Sequence, residues 1–242
     1  MSPPHSPAIN AQGGESSNVL QAASAAGYAL LAEELLCKNA DVNAQGGTYG
    51  NALQAASASG HDAVVELLLS KGADVNAHGG FYFDALQAAA ARGYDGIVEV
   101  LLANGADVNA RGGFVGSALQ AAAAEGHSTV VEVLLNHGAD VNAQGGPNGN
   151  ALQAASANGY IKIVDALLRN GADVNAQGGF YLNALEAASA RGYGAIVEVL
   201  LGNGADVNAR SGGFSPALRA ALEGGHDEVV RMLKSKGAVQ RE

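Results

Sequence analysis

The sequence predicts an all-α solenoid, a stack of seven 33-residue helix–turn–helix units with hairpin-like fingers. Three observations predict it. The triplet Asp-Val-Asn begins at Asp41, Asp74, Asp107, Asp140, Asp173 and Asp206, each step being 33 residues. A leucine recurs at the same interval at Leu20, Leu53, Leu86, Leu119, Leu152, Leu185 and Leu218. Glycines return at two fixed places in each period. A fixed period of this size, with helical apolar spacing inside it, is the signature of a repeat architecture. Ala8-Ile9-Asn10 falls in register with the triplet, so the array spans residues 8–242. Residues 1–7 remain outside, and their three prolines predict a disordered tail.

Each element follows from its residues. In the second repeat, Asn51-Ala52-Leu53-Gln54 has the form of a capping box, a polar cap with a Gln three residues on that reaches back. The cap column reads Asn18, Asn51, Asp84, Ser117, Asn150, Asn183 and Pro216. Its partner column reads Gln21, Gln54, Gln87, Gln120, Gln153, Glu186 and Arg219. A short Ala-rich helix, 53–59, follows. Gly60 ends it in the left-handed conformation, and the same column holds Gly27, Gly93, Gly126, Gly159, Gly192 and Gly225. A second helix runs over 61–70, with Val64, Val65, Leu68 and Leu69 as its apolar stripe. Gly72 ends it, with Asn39 standing for glycine in the first repeat. The Gly-Gly pair of the linking stretch predicts a hairpin-like finger. Neither helix buries its apolar face alone, so neighbouring repeats must cover one another. The end repeats should be polar: Glu34 replaces an apolar residue, and the last repeat carries Asp227, Glu228, Arg231, Lys234 and Lys236.

Composition narrows the function. Hydrophobic residues make up 48% of the chain but aromatics only 5%, so the core is built of Ala, Val and Leu. A net charge of −10 disfavours phosphate backbones and anionic membranes. The lone Cys37 makes no internal disulfide, which fits a reducing compartment and a cytoplasmic location. The first ten residues lack the pattern of a signal peptide, and no apolar run approaches a membrane span.

Three motifs carry a resemblance to a known family. They are Gly-His (Gly60-His61, Gly126-His127, Gly225-His226), Val-Val-Glu-Leu-Leu-Leu (Val64 to Leu69) and Gly-Ala-Asp-Val-Asn-Ala (Gly72 to Ala77). On these the chain resembles the ankyrin repeat, over all but the tail. The family's Thr-Pro-Leu-His appears here as Asn-Ala-Leu-Gln, and the finger glycine is displaced to Gly46-Gly47. This version is similar to the ankyrin arrays of filamentous fungi. Those often form the partner-sensing part of NLR-like receptors with a NACHT or NB-ARC domain. The resemblance implies protein recognition, and for the Asn column (Asn43, Asn76, Asn109, Asn142, Asn175, Asn208) a possible substrate role in hydroxylation, beside a structural one.

Sites for chemistry are sparse. His61, His127 and His226 share a column with Tyr28, Tyr94, Tyr160 and Tyr193. A position that accepts Tyr is no metal ligand or general base, so packing and a hydrogen bond to a neighbouring loop are expected. The Asp column reads as turn hydrogen bonding. The glycines form no phosphate loop. No catalytic residue, metal set or cofactor site is assigned, and no small-molecule pocket is expected.

The variable columns hold the information. The finger reads Thr48-Tyr49-Gly50, Phe81-Tyr82-Phe83, Phe114-Val115-Gly116, Pro147-Asn148-Gly149, Phe180-Tyr181-Leu182 and Phe214-Ser215. Aromatics on a rigid edge suit an interface; they equally suit packing of finger on finger. Arg92 with Arg111, and Arg191 with Arg210, form two basic spots, read either as captors of acidic side chains or as solvated charge. The sequence therefore points to a monomeric, non-catalytic array that binds a protein or peptide on its concave face. Its candidate contact residues are Tyr49, Phe81, Tyr82, Phe83, Arg92, Phe114, Phe180, Tyr181, Arg191 and Phe214. The rival reading is a structural spacer, or a consensus-like engineered scaffold with no natural partner.

Overall fold

The computed structural model of the chain describes residue 10 and residues 18–209 and 215–239. The expected tail, 1–7, lies outside the described residues, as do Arg210 and Phe214. Among the described residues there are fourteen α-helices and no named strand. They fall into two compact units, Met1–Phe114 and Val115–Glu242. The first holds α1 (Val19–Ala25), α2 (Ala29–Cys37), α3 (Ala52–Ser59), α4 (Asp62–Ser70), α5 (Ala85–Arg92) and α6 (Asp95–Ala103). The second holds α7 (Ala118–Glu125), α8 (Ser128–Asn136), α9 (Ala151–Asn158), α10 (Ile161–Arg169), α11 (Ala184–Ala190), α12 (Gly194–Gly202), α13 (Pro216–Glu223) and α14 (Asp227–Ser235).

Each unit has two layers. In the first, α1, α3 and α5 pack side by side, and α2, α4 and α6 do the same behind them. In the second, α7, α9, α11 and α13 form one layer and α8, α10, α12 and α14 the other. The core lies between layers. Leu53, Val64, Val65 and Leu68 are buried there, with their equivalents in the third to seventh repeats; in the first repeat Leu20 and Ala32 are buried but Leu31 is exposed. Ala55, Ala56, Ala88 and Ala89 are completely buried, which lets first helices approach closely.

The helix ends match the expected chemistry with two corrections. Asn51 Oδ1 accepts the Gln54 amide at 2.8 Å, and Asn18, Asp84, Ser117, Asn150 and Asn183 cap their helices in the same way. In the last repeat the cap is Ser215, not Pro216. Proline stands at the first helical position, where its missing N–H costs nothing, while the Ser215 hydroxyl accepts the Leu218 amide. The second correction concerns the Gln column. A complete capping box forms only at Asn150 and Gln153. The Gln Nε2 group, that of Gln153 included, turns forward to the next finger, and at Gln87 it also donates back to Asp84 Oδ2. Gln54 Nε2 donates to the carbonyls of Ala77, Gly79 and Phe83 at 3.2, 3.2 and 2.8 Å. Gln21 holds Ala44 and Gly50, and Gln120 holds Gly145 and Gly149. The column links one repeat to the next.

Two further columns make the same link. Asn43 Nδ2 donates to the Gly72 carbonyl at 3.2 Å, while its Oδ1 accepts the Asp74 amide at 2.8 Å. Asn76, Asn142, Asn175 and Asn208 repeat this bridge, and Asn10 makes it with Asn39 and Asp41. The Asp column is the expected local turn: Asp41 Oδ1 accepts the Asn43 amide at 2.9 Å. In the third column His61 Nε2 meets the Ala25 carbonyl at 3.0 Å, and His226 meets Ala190 at 3.1 Å. The rings lie over the helix-ending glycines of the preceding repeat. A methyl group on Gly60 would sit 2.6 Å from the Tyr94 ring, and one on Gly27 2.7 Å from His61. These glycines are needed twice, for φ near +77° and +74° and for lack of a side chain.

The polar-end expectation holds for one terminus. Glu34 is exposed and pairs with Lys38, and the charged residues of α14 are exposed. Yet the first repeat also leaves Val19 46%, Tyr28 62% and Leu30 85% exposed. Val19 stands in a column that is otherwise buried Ala, so the substitution was visible in the sequence.

Two outcomes follow for stability. Gln54→Ala removes three buried hydrogen bonds and strands carbonyls of the next finger; a loss of about 2–4 kcal/mol is expected by urea denaturation. Ser57→Ala should behave oppositely. The Ser57 hydroxyl is buried with no hydrogen-bond partner, and the third and fourth repeats carry Ala90 and Ala123 there. Urea midpoints should show no loss and a gain of up to about 1 kcal/mol.

Candidate functional site

The fingers are short turns closed by one backbone bond. The Gly46 amide donates to the Gly50 carbonyl at 2.7 Å, Gly79 to Phe83 at 2.7 Å, and Gly145 to Gly149 at 2.8 Å. Successive fingers stack through their backbones: Phe81 N–H donates to Thr48 O and Phe180 N–H to Pro147 O, both at 2.8 Å. A side chain at Gly80 would come within 2.3 Å of the Tyr49 carbonyl group, so the second glycine of the pair is what permits stacking. The expected hairpin-like finger is thus present, as a one-bridge turn.

This backbone determines where the candidate side chains go. The residue after Gly-Gly points outward. Phe81 is 61% exposed, Phe114 67% and Phe180 85%. The next residue leans against it. Tyr82 meets Phe81 edge to face at 5.0 Å between ring centres, and Tyr181 meets Phe180 at 5.2 Å. Tyr49, Tyr82 and Tyr181 are half-buried. Arg92 and Arg191 are exposed at the ends of their first helices. Nine of the ten candidates are therefore described, five in exposed positions and four half-buried; Phe214 lies outside the described residues.

Phe83 differs from the rest. It occupies the position held by Gly50, Gly116 and Gly149, and it adopts φ 74° there, a conformation strained for a bulky residue. Its ring stacks on His78 at 4.4 Å, 11° from parallel, and lies where side chains at Gly112 and Gly113 would otherwise be. It packs one finger against the next rather than facing outward. Both readings of the aromatics, contact and packing, therefore hold for different rings. Sequence reasoning missed the His78 stack, although Phe in a glycine column was the available signal.

Beside this stack Asp84 caps α5 from a buried position. Burial raises its pKa from an ordinary 3.8 to about 6; hydrogen bonds from the Gln87 amide and side chain, and the nearby His78, oppose the rise. Among the described residues no group of three or more His, Cys, Asp or Glu could hold a metal ion. Two depressions in the second unit, one lined by Asp165, Leu168, Arg169 and Asn203 and the other by Glu132, Leu135, Asn136, Ala166, Arg169 and Asn170, flank α10 on the second-helix layer. They are open and gather no catalytic set.

Comparisons with known proteins agree with this geometry. The family model for ankyrin repeats (3 copies) matches residues 19–112, 86–178 and 152–241, so the chain belongs to the ankyrin-repeat family. As a class, ankyrin repeats are modules for binding other proteins. Among solved structures, the human ASB11 ankyrin repeat domain is similar, with a TM-score of 0.78 and 26% identity, over 89% of this chain and 97% of that one. No curated protein sequence matches the chain. No helix of the described residues is long and apolar enough to cross a membrane.

The Asp84 cap gives a pH signature. A folded-state pKa above the unfolded one favours folding at low pH, and that contribution fades as pH rises through about 6. Asp84→Asn keeps the cap, as Asn51 does, without the charge. Its stability advantage over the wild type should grow from about pH 4 to about pH 6 and level off above, reaching at most about 3 kcal/mol. Urea midpoints across that range check it; parallel curves would refute the assignment.

Proposed function

We propose that this chain is a non-catalytic recognition array that captures a protein or peptide on the face built from its fingers and first helices. The observation that carries the reading is the exposure of Phe81, Phe114 and Phe180 at the tips of rigidly stacked fingers. Exposed aromatic side chains on a preorganised backbone bury large area at little entropic cost, which is the property of interface hot spots. Tyr49, Tyr82, Tyr181, Arg92 and Arg191 would widen the contact. Phe83 contributes by holding its finger in place.

The small side chains of the first helices support a shallow, smooth surface, suited to a helix or extended segment rather than a small molecule. No cofactor or nucleotide enters the reading. We take the array to be a monomer, and its lone Cys37 supports work in the cytoplasm. The likeness of the Asn-Ala-Leu-Gln version to fungal arrays supports a partner-sensing role of the kind found in NLR-like receptors. The rival reading, a spacer or consensus-like scaffold without a partner, draws on the near-identity of the repeats. Variation concentrated at the finger tips, and absent from the linking Asn column, weighs against it.

Substituting Phe81, Tyr82, Phe180 and Tyr181 together with Ser tests the reading. Partner capture in a pull-down should fall by at least about tenfold, since hot-spot truncations each cost about 2 kcal/mol or more. Unchanged capture by a variant with an intact helical spectrum would exclude this face.

A further inference from the structure

The charge of the first unit is segregated, and the segregation identifies the kind of partner. Among its described residues, the layer formed by α1, α3 and α5 carries one charged side chain, Arg92. The fingers over 44–50, 77–83 and 110–114 add only Arg111 and His78, both exposed. Neither set contains an acid. The opposite layer is acidic on balance: Glu33 and Glu34 on α2, Asp62 and Glu66 on α4, Asp95 and Glu99 on α6, all exposed, outnumber the exposed Lys38 and Lys71 at the ends of α2 and α4, and Lys38 pairs with Glu34. The linking Asp41, Asp74 and Asp107 add to that sign. Asp84, next to the second of these fingers, is buried as a helix cap and spends its oxygens on Gln87. In a chain of net charge −10, one face of this unit is thus cationic and aromatic. The second unit lacks the pattern, because Glu125, Glu186 and Glu223 stand on its first helices.

We propose that the finger and first-helix face of the first unit takes an acidic, partly apolar peptide segment of another protein; this rests on the recognition reading above and adds the partner's chemistry to it. Guanidinium groups offer paired N–H donors that match a carboxylate. Exposed Phe81 and Phe114 supply apolar contact and exclude water around those pairs, which strengthens them over solvated ion pairs. The acids of the opposite layer repel the same peptide, so they confine it to this face. A basic partner would meet the reverse arrangement and settle on the second-helix layer.

The test is selection of a random displayed peptide library on the whole chain, followed by affinities of the enriched peptides. Enriched peptides should be rich in Asp and Glu beside Phe or Leu. The Arg92→Gln, Arg111→Gln double variant should bind them at least about fivefold more weakly, and the wild-type complex should weaken on raising salt from about 50 to about 500 mM. Arg231→Gln, exposed on α14 away from the fingers and first helices, should leave them unchanged. Neutral or basic winners, an empty selection, or equal affinity in the double variant would overturn the proposal. So would displacement of the peptides by an oligothymidylate at equal concentration, which would mark a general polyanion surface. If Phe81→Ser, Tyr82→Ser loses the winners while the arginine variant keeps them, recognition by this face stands and only the acidic partner falls. If neither loses them, both fall. The helical spectrum and urea midpoint of each variant exclude unfolding as the cause.

Discussion

Everything in this protein depends on how closely one repeat's backbone comes to the next. A pair of helices of eight or nine residues, such as α3 and α4, is too short to be stable alone. Its apolar faces are covered only if a neighbour approaches, and approach is limited by side-chain bulk. The chain removes that bulk at defined places. Ala55, Ala56, Ala88 and Ala89 line the first helices, glycine lies under the rings of His61, Tyr94, Tyr160, Tyr193 and His226, and Gly80 and Gly179 lie against the preceding finger's carbonyl. With the gap closed, the amides of Gln54 and Asn43 reach across it. The hydrogen bonds are consequences of proximity as much as causes of it.

Such a link is indifferent to what the finger tips carry. The bonds joining repeats come from backbone carbonyls, backbone amides and Gln or Asn side chains outside the finger tips, so none is lost when Thr48 becomes Phe81 or Pro147 becomes Phe180 at the same position. Structure and recognition are thereby assigned to separate atoms. The exception shows the rule. Phe83 took a position reserved for glycine, and its ring became packing between fingers, with a strained backbone and a buried carboxylate beside it.

Most of the fold was legible because a helix start, a helix stop and an apolar stripe each need particular residue types at fixed spacing. Seven copies of the pattern reinforce one another. What was not legible was direction. The Gln column fits a capping box by spacing alone, and the reciprocal bond does form at Gln153. The carbonyls of the following finger, which a lone helix lacks, take the Nε2 group at Gln54 and at Gln153 alike, while the Oε1 of Gln153 also accepts its cap amide. The shift of the last cap to Ser215 is a local matter, since proline at the first helical turn requires its cap one residue earlier. The candidate site was legible as a list of variable residues. Its division into outward Phe81, Phe114 and Phe180 and inward Phe83 was not, because it depends on the sign of φ at a single finger position.

The same separation explains how an acidic chain can carry a cationic face. Charges on the second helices face solvent and make few pairs, so their sum sets solubility and long-range repulsion. In the first unit the one charge on the first-helix layer, Arg92, stands among alanines, with no acid on that unit's first helices. One arginine there changes the local field more than one glutamate added among those of α2, α4 and α6. The charge and aromatic character of that face are therefore set by very few residues, Arg92 and the finger tips among them. The remaining identity between repeats is what keeps those residues in fixed register.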